Sequence, residues 1–178
     1  MKNFFYALLA LSLSSCGGSG PEIPANQLAG NDFEAIDGWV GENTPLSLTK
    51  EKAHSGRYAV KVGPGIEYST GYNNQLGKLS ASKLNKIKVR AWVNVASGKA
   101  ESMLVVTVLD PSSPGKAVLW KGFRRADQVK SYNTWVEIEQ EVPLPDNVTS
   151  TNRIGVFLWR TAAAETAYLD DLTIEKAE

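Results

Sequence analysis

Apolar and polar side chains alternate along most of this chain in runs of six to ten residues. In "RYAVKV" (57–62), Tyr58, Val60 and Val62 share one face. In "KIKVRAWVNV" (86–95), Ile87, Val89, Ala91, Val93 and Val95 oppose Lys88, Arg90, Trp92 and Asn94. Such a period of two is that of a half-buried strand. "SMLVVTVLD" (102–110) is nearly all apolar, as a central strand covered on both faces is. "VLWKGF" (118–123), "WVEIEQEV" (135–142), "RIGVFLWR" (153–160) and "AYLDDLTI" (167–174) continue the series. Turn chemistry separates the runs, as in "GPG" at 63–65, "DPSSPG" at 110–115 and "PLPDN" at 143–147. No stretch carries a capped helical period of several turns. Many short strands divided by turns predict an all-β domain over 28–178, a two-sheet β-sandwich of jelly-roll type.

The last run contains an anomaly. Parity puts Tyr168, Asp170, Leu172 and Ile174 on one face, so Asp170 is expected to point toward the core. A buried carboxylate without a partner costs several kcal/mol or more, so compensation is required there.

Composition narrows the function. With 178 residues the chain fits one domain of ordinary size. Acidic and basic residues balance at 19 each, and no basic stripe interleaved with aromatics exists, which sets nucleic acid aside. Ahead of the domain, Lys2 and the apolar run "FFYALLALSL" (4–13) suit a signal peptide and are too short for a membrane span. "LSSC" (13–16) then resembles a bacterial lipobox, and Cys16 is the only cysteine. The expected organisation is a lipoprotein signal peptide at 1–15, a lipidated Cys16 with a Gly/Pro/Ser-rich tether over 16–27, and the folded domain thereafter. Gly17 stands where an aspartate favours inner-membrane retention in some bacteria, so the expectation is outer membrane, with the face left open.

Several segments in order carry a family resemblance: "NDFEAIDGW" (31–39), "HSGRYAVKV" (54–62), Trp135 with "PLP" (143–145), "IGVFLW" (154–159) and "YLDDLTI" (168–174). Together they resemble the jelly-roll carbohydrate-binding modules of families four, nine and twenty-two, in the galactose-binding-like superfamily. The resemblance spans about 145 residues. It implies a β-sandwich that commonly holds a structural calcium ion and binds glycans along a concave sheet face. A calcium ion takes about six to eight oxygens. By the resemblance Glu34 and Asp170 are the side-chain ligands, with Asp171 as substitute, and Asp32, His54 and Arg57 offer carbonyls. The alternative is that Asp170 caps backbone N–H groups or pairs with an arginine.

The five tryptophans fall into groups. Trp39 and Trp135 resemble structural tryptophans of the family. Trp92, with Arg90 and Asn94, faces away from the apolar side of its strand, and Trp159 shares a parity with Phe157. A flat exposed indole beside amide and guanidinium donors suits a sugar ring, so Trp92, Arg90, Asn94, Trp159 and Trp120 are the candidate ligand-binding residues. If strands 86–95 and 153–160 share a sheet, the indoles of Trp92 and Trp159 form one platform. The other possibility is that a covering loop or sheet buries these rings.

Catalytic readings are weaker. His54, the lone histidine, opens a turn and lacks the partners of a zinc site or a nucleophile. Glu137, Glu139 and Glu141 lie on one strand face at roughly 6.5–7 Å spacing, but they do not flank a substrate from opposite sides and read as a solvated face. The expectation is a monomeric, lipid-anchored, non-catalytic module that binds polysaccharide or glycan at the cell envelope. A structural or adhesion module binding an envelope protein partner is the alternative, and a jelly-roll lyase or hydrolase is the third.

Overall fold

The computed structural model describes residues 23–36, 45–162 and 164–178. The expected signal peptide, Cys16, most of the tether and Trp39 lie outside them. The described residues form two antiparallel sheets packed face to face. Six strands make the first sheet: β1 (Gln27–Asn31), β2 (Leu48–Thr49), β3 (Ala59–Val62), β5 (Lys86–Val95), β8 (Trp135–Pro143) and β10 (Ala167–Lys176). Their order is β2-β3-β10-β5-β8, and β1 also pairs with β10, beyond the end of β3. The second sheet orders β4 (Tyr72–Gln75), β9 (Arg153–Arg160), β6 (Ser102–Leu109) and β7 (Ala117–Arg124) as β4-β9-β6-β7. Two single-turn helices, α1 (Leu76–Leu79) and α2 (Arg125–Gln128), lie between strands.

The alternating runs become the inner faces. Val60, Val62, Ile87, Val89, Val93 and Val95 from the first sheet meet Leu104, Val106, Val108, Ile154, Val156 and Leu158 from the second, all buried. Burying such side chains contributes roughly 1.5–3 kcal/mol each against chain entropy. Val105, on the other side of β6, is also buried, in keeping with the central position of that strand.

Two expectations need correction. Strands 86–95 and 153–160 belong to different sheets. Both have their apolar faces in the core, so the opposite faces that carry Trp92 and Trp159 look outward on opposite sides of the sandwich. No shared platform exists.

The second correction concerns Asp170. Along β10, Asp170 pairs with Trp92 and Thr173 with Arg90, so Asp171 and Leu172 together stand against Ala91. This is a β-bulge, with Asp171 in the left-handed region at φ 46°. The extra residue shifts parity: Leu169, Leu172 and Ile174 all reach the core, while Tyr168 and Asp170 face outward beside Asn94 and Trp92. Asp170 is nevertheless fully buried, because the turn at 53–57 folds over it. Its Oδ2 accepts N–H bonds from His54 (2.7 Å) and Ser55 (3.2 Å), and its Oδ1 accepts one from Asp171 (2.8 Å). Backbone donors therefore compensate the carboxylate.

Candidate functional site

The sandwich has two very different outer faces. On the six-stranded sheet, the polar side chains of β5 meet those of β8 in ion pairs. Lys86 reaches Glu141 at 3.2 Å, Lys88 reaches Glu139 at 2.9 Å, and Arg90 lies between Glu139 (2.7 Å) and Glu175 (3.4 Å). Asn94 is buried and accepts a bond from Lys52 Nζ. Trp92 is covered by the turn: the His54 imidazole stacks on it at 3.8 Å and 10°, with Trp135 edge-on to His54 at 5.8 Å. Trp92, Arg90 and Asn94 thus sit together, as the alternation of β5 requires, but in a closed, charge-paired surface. The glutamate face of β8 is the solvated face expected of it.

The same turn brings serine, histidine and aspartate side chains close. His54 Nδ1 lies 2.5 Å from Asp171 Oδ2, and Ser55 Oγ donates to Asp171 Oδ1 at 2.7 Å. Both groups bond the carboxylate and neither is shown bonding the other, whereas a nucleophile relay needs the serine on the imidazole. The arrangement fixes the turn.

The expected calcium ligands surround this turn too. Glu34 Oε1 accepts the N–H groups of Arg57 and Tyr58, each at 2.6 Å, which hold its carboxyl below the usual range. Asp32 Oδ1 accepts the N–H of Glu34, and Asp171 is taken by His54 and Ser55. Burial pushes the Asp170 carboxyl up from its usual 3.8, with the neighbouring charge of Asp171 adding to it and the three N–H bonds opposing. N–H donors cannot ligate a cation, and five of them meet Glu34 and Asp170. Among the described residues, no three His, Cys, Asp or Glu side chains gather as a metal group. Backbone N–H groups thus compensate both carboxylates in this arrangement.

The outer face of the four-stranded sheet is open and aromatic. Register sets out its rows. Trp159 on β9 stands beside Met103 on β6 and Arg124 on β7. One step along come Phe157, Val105 and Gly122, and after them Asn73 on β4, Gly155, Thr107 and Trp120. Arg153 and Leu109 follow. A bridge from Tyr68 to Trp159 extends the first row beyond β9, and the two rings stack at 6.3 Å and 11°. Phe157 meets Tyr68 edge-on at 5.9 Å, and Trp120 meets Trp159 edge-on at 6.1 Å. Tyr68 and Trp120 are 53% and 50% exposed, high values for rings this large, which leaves apolar surface facing solvent.

Glycines keep the floor low. A Cβ on Gly155 lies 2.8 Å from Thr107 Oγ1, and one on Gly122 lies 2.6 Å from Trp120 Cη2 and 2.9 Å from Met103 Sδ. Between Tyr68, Phe157, Gly155, Thr107, Asn73 and Leu109 runs a cleft of about 310 Å³. Polar groups border it: Trp159 Nε1 donates to Glu67 at 3.4 Å, and Arg153 donates through Nε and Nη2 to Asn73 Oδ1 at 3.0 and 2.7 Å. The Glu67 carboxylate also pushes the Tyr68 phenol up.

Of the candidate ligand-binding residues, then, Trp159 and Trp120 meet here, and Trp92, Arg90 and Asn94 lie on the opposite face. Tyr68, Phe157, Asn73, Thr107 and Arg153 were not among the candidates. The alternation of 153–160 does align Arg153, Gly155, Phe157 and Trp159, a signal that could have found two of them. Tyr68 sits in an irregular segment with no pattern to expose it.

Fold and face together define a two-sheet jelly-roll β-sandwich with an open aromatic groove on its four-stranded sheet. Solved structures make the comparison concrete. The CBM22-1 xylan-binding domain of Paenibacillus barcinonensis Xyn10C aligns over 85% of this chain and 96% of its own, with a TM-score of 0.52 and 17% identity. The C-terminal family 22 module of Clostridium thermocellum Xyn10B aligns over 88% and 97%, with a TM-score of 0.53 and 14% identity. The CBM22-1–GH10 modules of Xyn10B, solved with xylohexaose, align over 87% of this chain and 29% of theirs, at a TM-score of 0.53 and 20% identity. At these identities the likeness establishes the fold. No protein-family model matches the chain, and no curated protein sequence does either.

Proposed function

We propose that this protein is a non-catalytic module that binds the interior of a polysaccharide chain along the outer face of its four-stranded sheet. The observation that carries this reading is the open corner of Tyr68, Trp159 and Trp120 beside a glycine-floored cleft with amide, hydroxyl and guanidinium groups at its border. A pyranose presents an apolar C–H face and a rim of hydroxyls, and this surface offers a partner for each. The cleft lies on a sheet face rather than in a closed pocket, which suits chain interiors over chain ends. The similar structures described as xylan-binding make xylan the first polymer to try.

The carboxylates that could suggest hydrolysis, Glu137, Glu139 and Glu141, belong to the opposite face, where Glu139 and Glu141 are ion-paired. The segment around Cys16 supports attachment to the outer membrane through a lipid, so that the module holds polymer close to the cell envelope.

Affinity electrophoresis of the full chain in gels containing soluble xylan tests the reading. Retardation is expected, and Trp159→Ala should abolish most of it. Migration unaffected by xylan and by a panel of other plant and microbial polysaccharides would overturn glycan binding and leave the protein-binding alternative.

A further inference from the structure

The two outer faces differ in charge pairing as well as in aromatic content. All three cations of β5 that face outward, Lys86, Lys88 and Arg90, have carboxylate partners. On the aromatic face, Arg124 and Arg153 have none: among the described residues, no carboxylate lies within ion-pair distance of either. Glu101 lines a small hollow with Arg124 but lies beyond ion-pair distance, and two further carboxylates at the border are engaged elsewhere. Glu67 takes the Trp159 indole N–H, and Asp110 takes the N–H and hydroxyl of Ser112.

The two arginines occupy opposite ends of the face. Arg124 stands in the row of Met103 and Arg153 in the row of Leu109, six residues apart along β6, or about 20 Å. The cleft lies between them, and the aromatic corner shares the end of the face that carries Arg124. Arg153 is also held in place. Its Nε and Nη2 both grip Asn73 Oδ1, which leaves the Nη1 side of the guanidinium free. The edge between Nη1 and Nη2 presents one N–H from each nitrogen, side by side in the guanidinium plane, the geometry a carboxylate accepts bidentately. Because Asn73 fixes the guanidinium beforehand, little side-chain entropy is lost on binding.

We infer that the groove takes an acidic polysaccharide, one whose neutral backbone carries uronic-acid carboxylates, with Arg153 as the principal carboxylate-binding group and Arg124 as a second at the far end. This rests on the glycan-binding reading above and adds the substrate class. The polymer backbone lies over the aromatic corner and the glycine floor, and its charged substituents reach the arginines at the ends. A neutral polymer of the same backbone still meets the aromatics but leaves both guanidinium groups without a partner.

The test compares beechwood glucuronoxylan with the same polymer after its carboxyl groups have been reduced to alcohols. Affinity is measured by electrophoresis or calorimetry on the full chain. The acidic polymer should bind about three- to fivefold tighter, the range of a solvent-facing ion pair, and the advantage should fade at high salt. Arg153→Gln should close most of that gap, and Arg153→Gln with Arg124→Gln should close it fully, with the melting temperature preserved. Trp159→Ala should weaken both polymers alike, which separates the backbone contact from the carboxylate contact. Equal affinity for the two polymers overturns the acidic-substrate inference alone, and so does a gap that survives the double variant. Binding to neither polymer overturns it together with the reading on which it rests.

Discussion

The indole of Trp120 reaches across the position of Gly122, two residues along its own strand, to meet Trp159 on β9 with ring centroids 6.1 Å apart and planes at 81°. The aromatic corner therefore depends on an absent side chain. A methyl group on Gly122 lies 2.6 Å from the tip of the Trp120 ring, so the ring must swing away. Gly122→Ala should weaken polysaccharide binding by about threefold to tenfold with a melting temperature within about 2 °C of wild type. Calorimetry and thermal melts together check this, and a variant that binds normally would show that the Trp120–Trp159 contact is not part of the site.

Removing either ring has a calculable effect. Stacking a sugar on an indole covers roughly 60–80 Å², worth about 1.5–2 kcal/mol. Trp120→Ala and Trp159→Ala should each cost about tenfold in affinity or slightly more. Because both rings lie outside the core, stability should change little. A large loss of stability would mark the ring as structural.

Trp92 should behave in the opposite way. Its ring lies under His54, beside the turn that buries Asp170, on the face away from the cleft. Trp92→Ala is expected to leave polysaccharide affinity unaltered while costing about 2 kcal/mol, which lowers the melting temperature by roughly 4–8 °C. Loss of binding without loss of stability would relocate the site to the six-stranded sheet.

Asp170 gives a prediction about ions and pH together. Asp170→Asn weakens the acceptor for three backbone N–H groups and should cost about 2 kcal/mol. The cost should be the same in calcium and in EDTA, since N–H groups hold this carboxylate. A loss seen only in calcium would place an ion there. The folded-state pKa lies above the ordinary 3.8, so the folded state binds this proton more tightly than the unfolded chain does. Stability contributed by Asp170 therefore rises as pH falls through the raised pKa toward 3.8, and declines as pH rises. Wild type should gain on Asp170→Asn between pH 7 and pH 4.5 in paired thermal melts.

Attachment is tested at Cys16. Cys16→Ser should move the protein from the membrane fraction to the soluble periplasmic fraction. Retention on membranes after a high-salt wash would remove the lipoprotein assignment.

The long strands were legible because a period of two is a local property. β5 and β9 coincide with the runs read as 86–95 and 153–160, and β6, β7, β8 and β10 differ from theirs by one or two residues at an end. β1, β2 and β4 escaped: they are short, and only pairing with β10, β3 and β9 makes them strands. Alternation also told which side chains leave the core, and it was right for Trp92 and Trp159. It could not tell which sheet each strand joins, because that is set by pairing between residues far apart in the chain. The bulge at Asp171 is invisible for a related reason. It inserts one residue into β10 relative to β5, and parity counted through 167–174 assumes that no such insertion occurs. The aromatic corner was half legible, through Trp159 and Trp120; Tyr68 joins it only because an irregular segment crosses to β9.

β1 enters the fold at Gln27, paired with Glu175 on β10, and the backbone N–H of Lys176 donates to Asn26 just ahead of it. Both ends of the domain therefore leave from the six-stranded sheet, the one opposite the cleft. A chain arriving ahead of Gln27 therefore joins the six-stranded sheet, not the sheet that carries the cleft. Attachment ahead of Gln27 and binding on the aromatic face thus use different sheets, so occupying one does not cover the other.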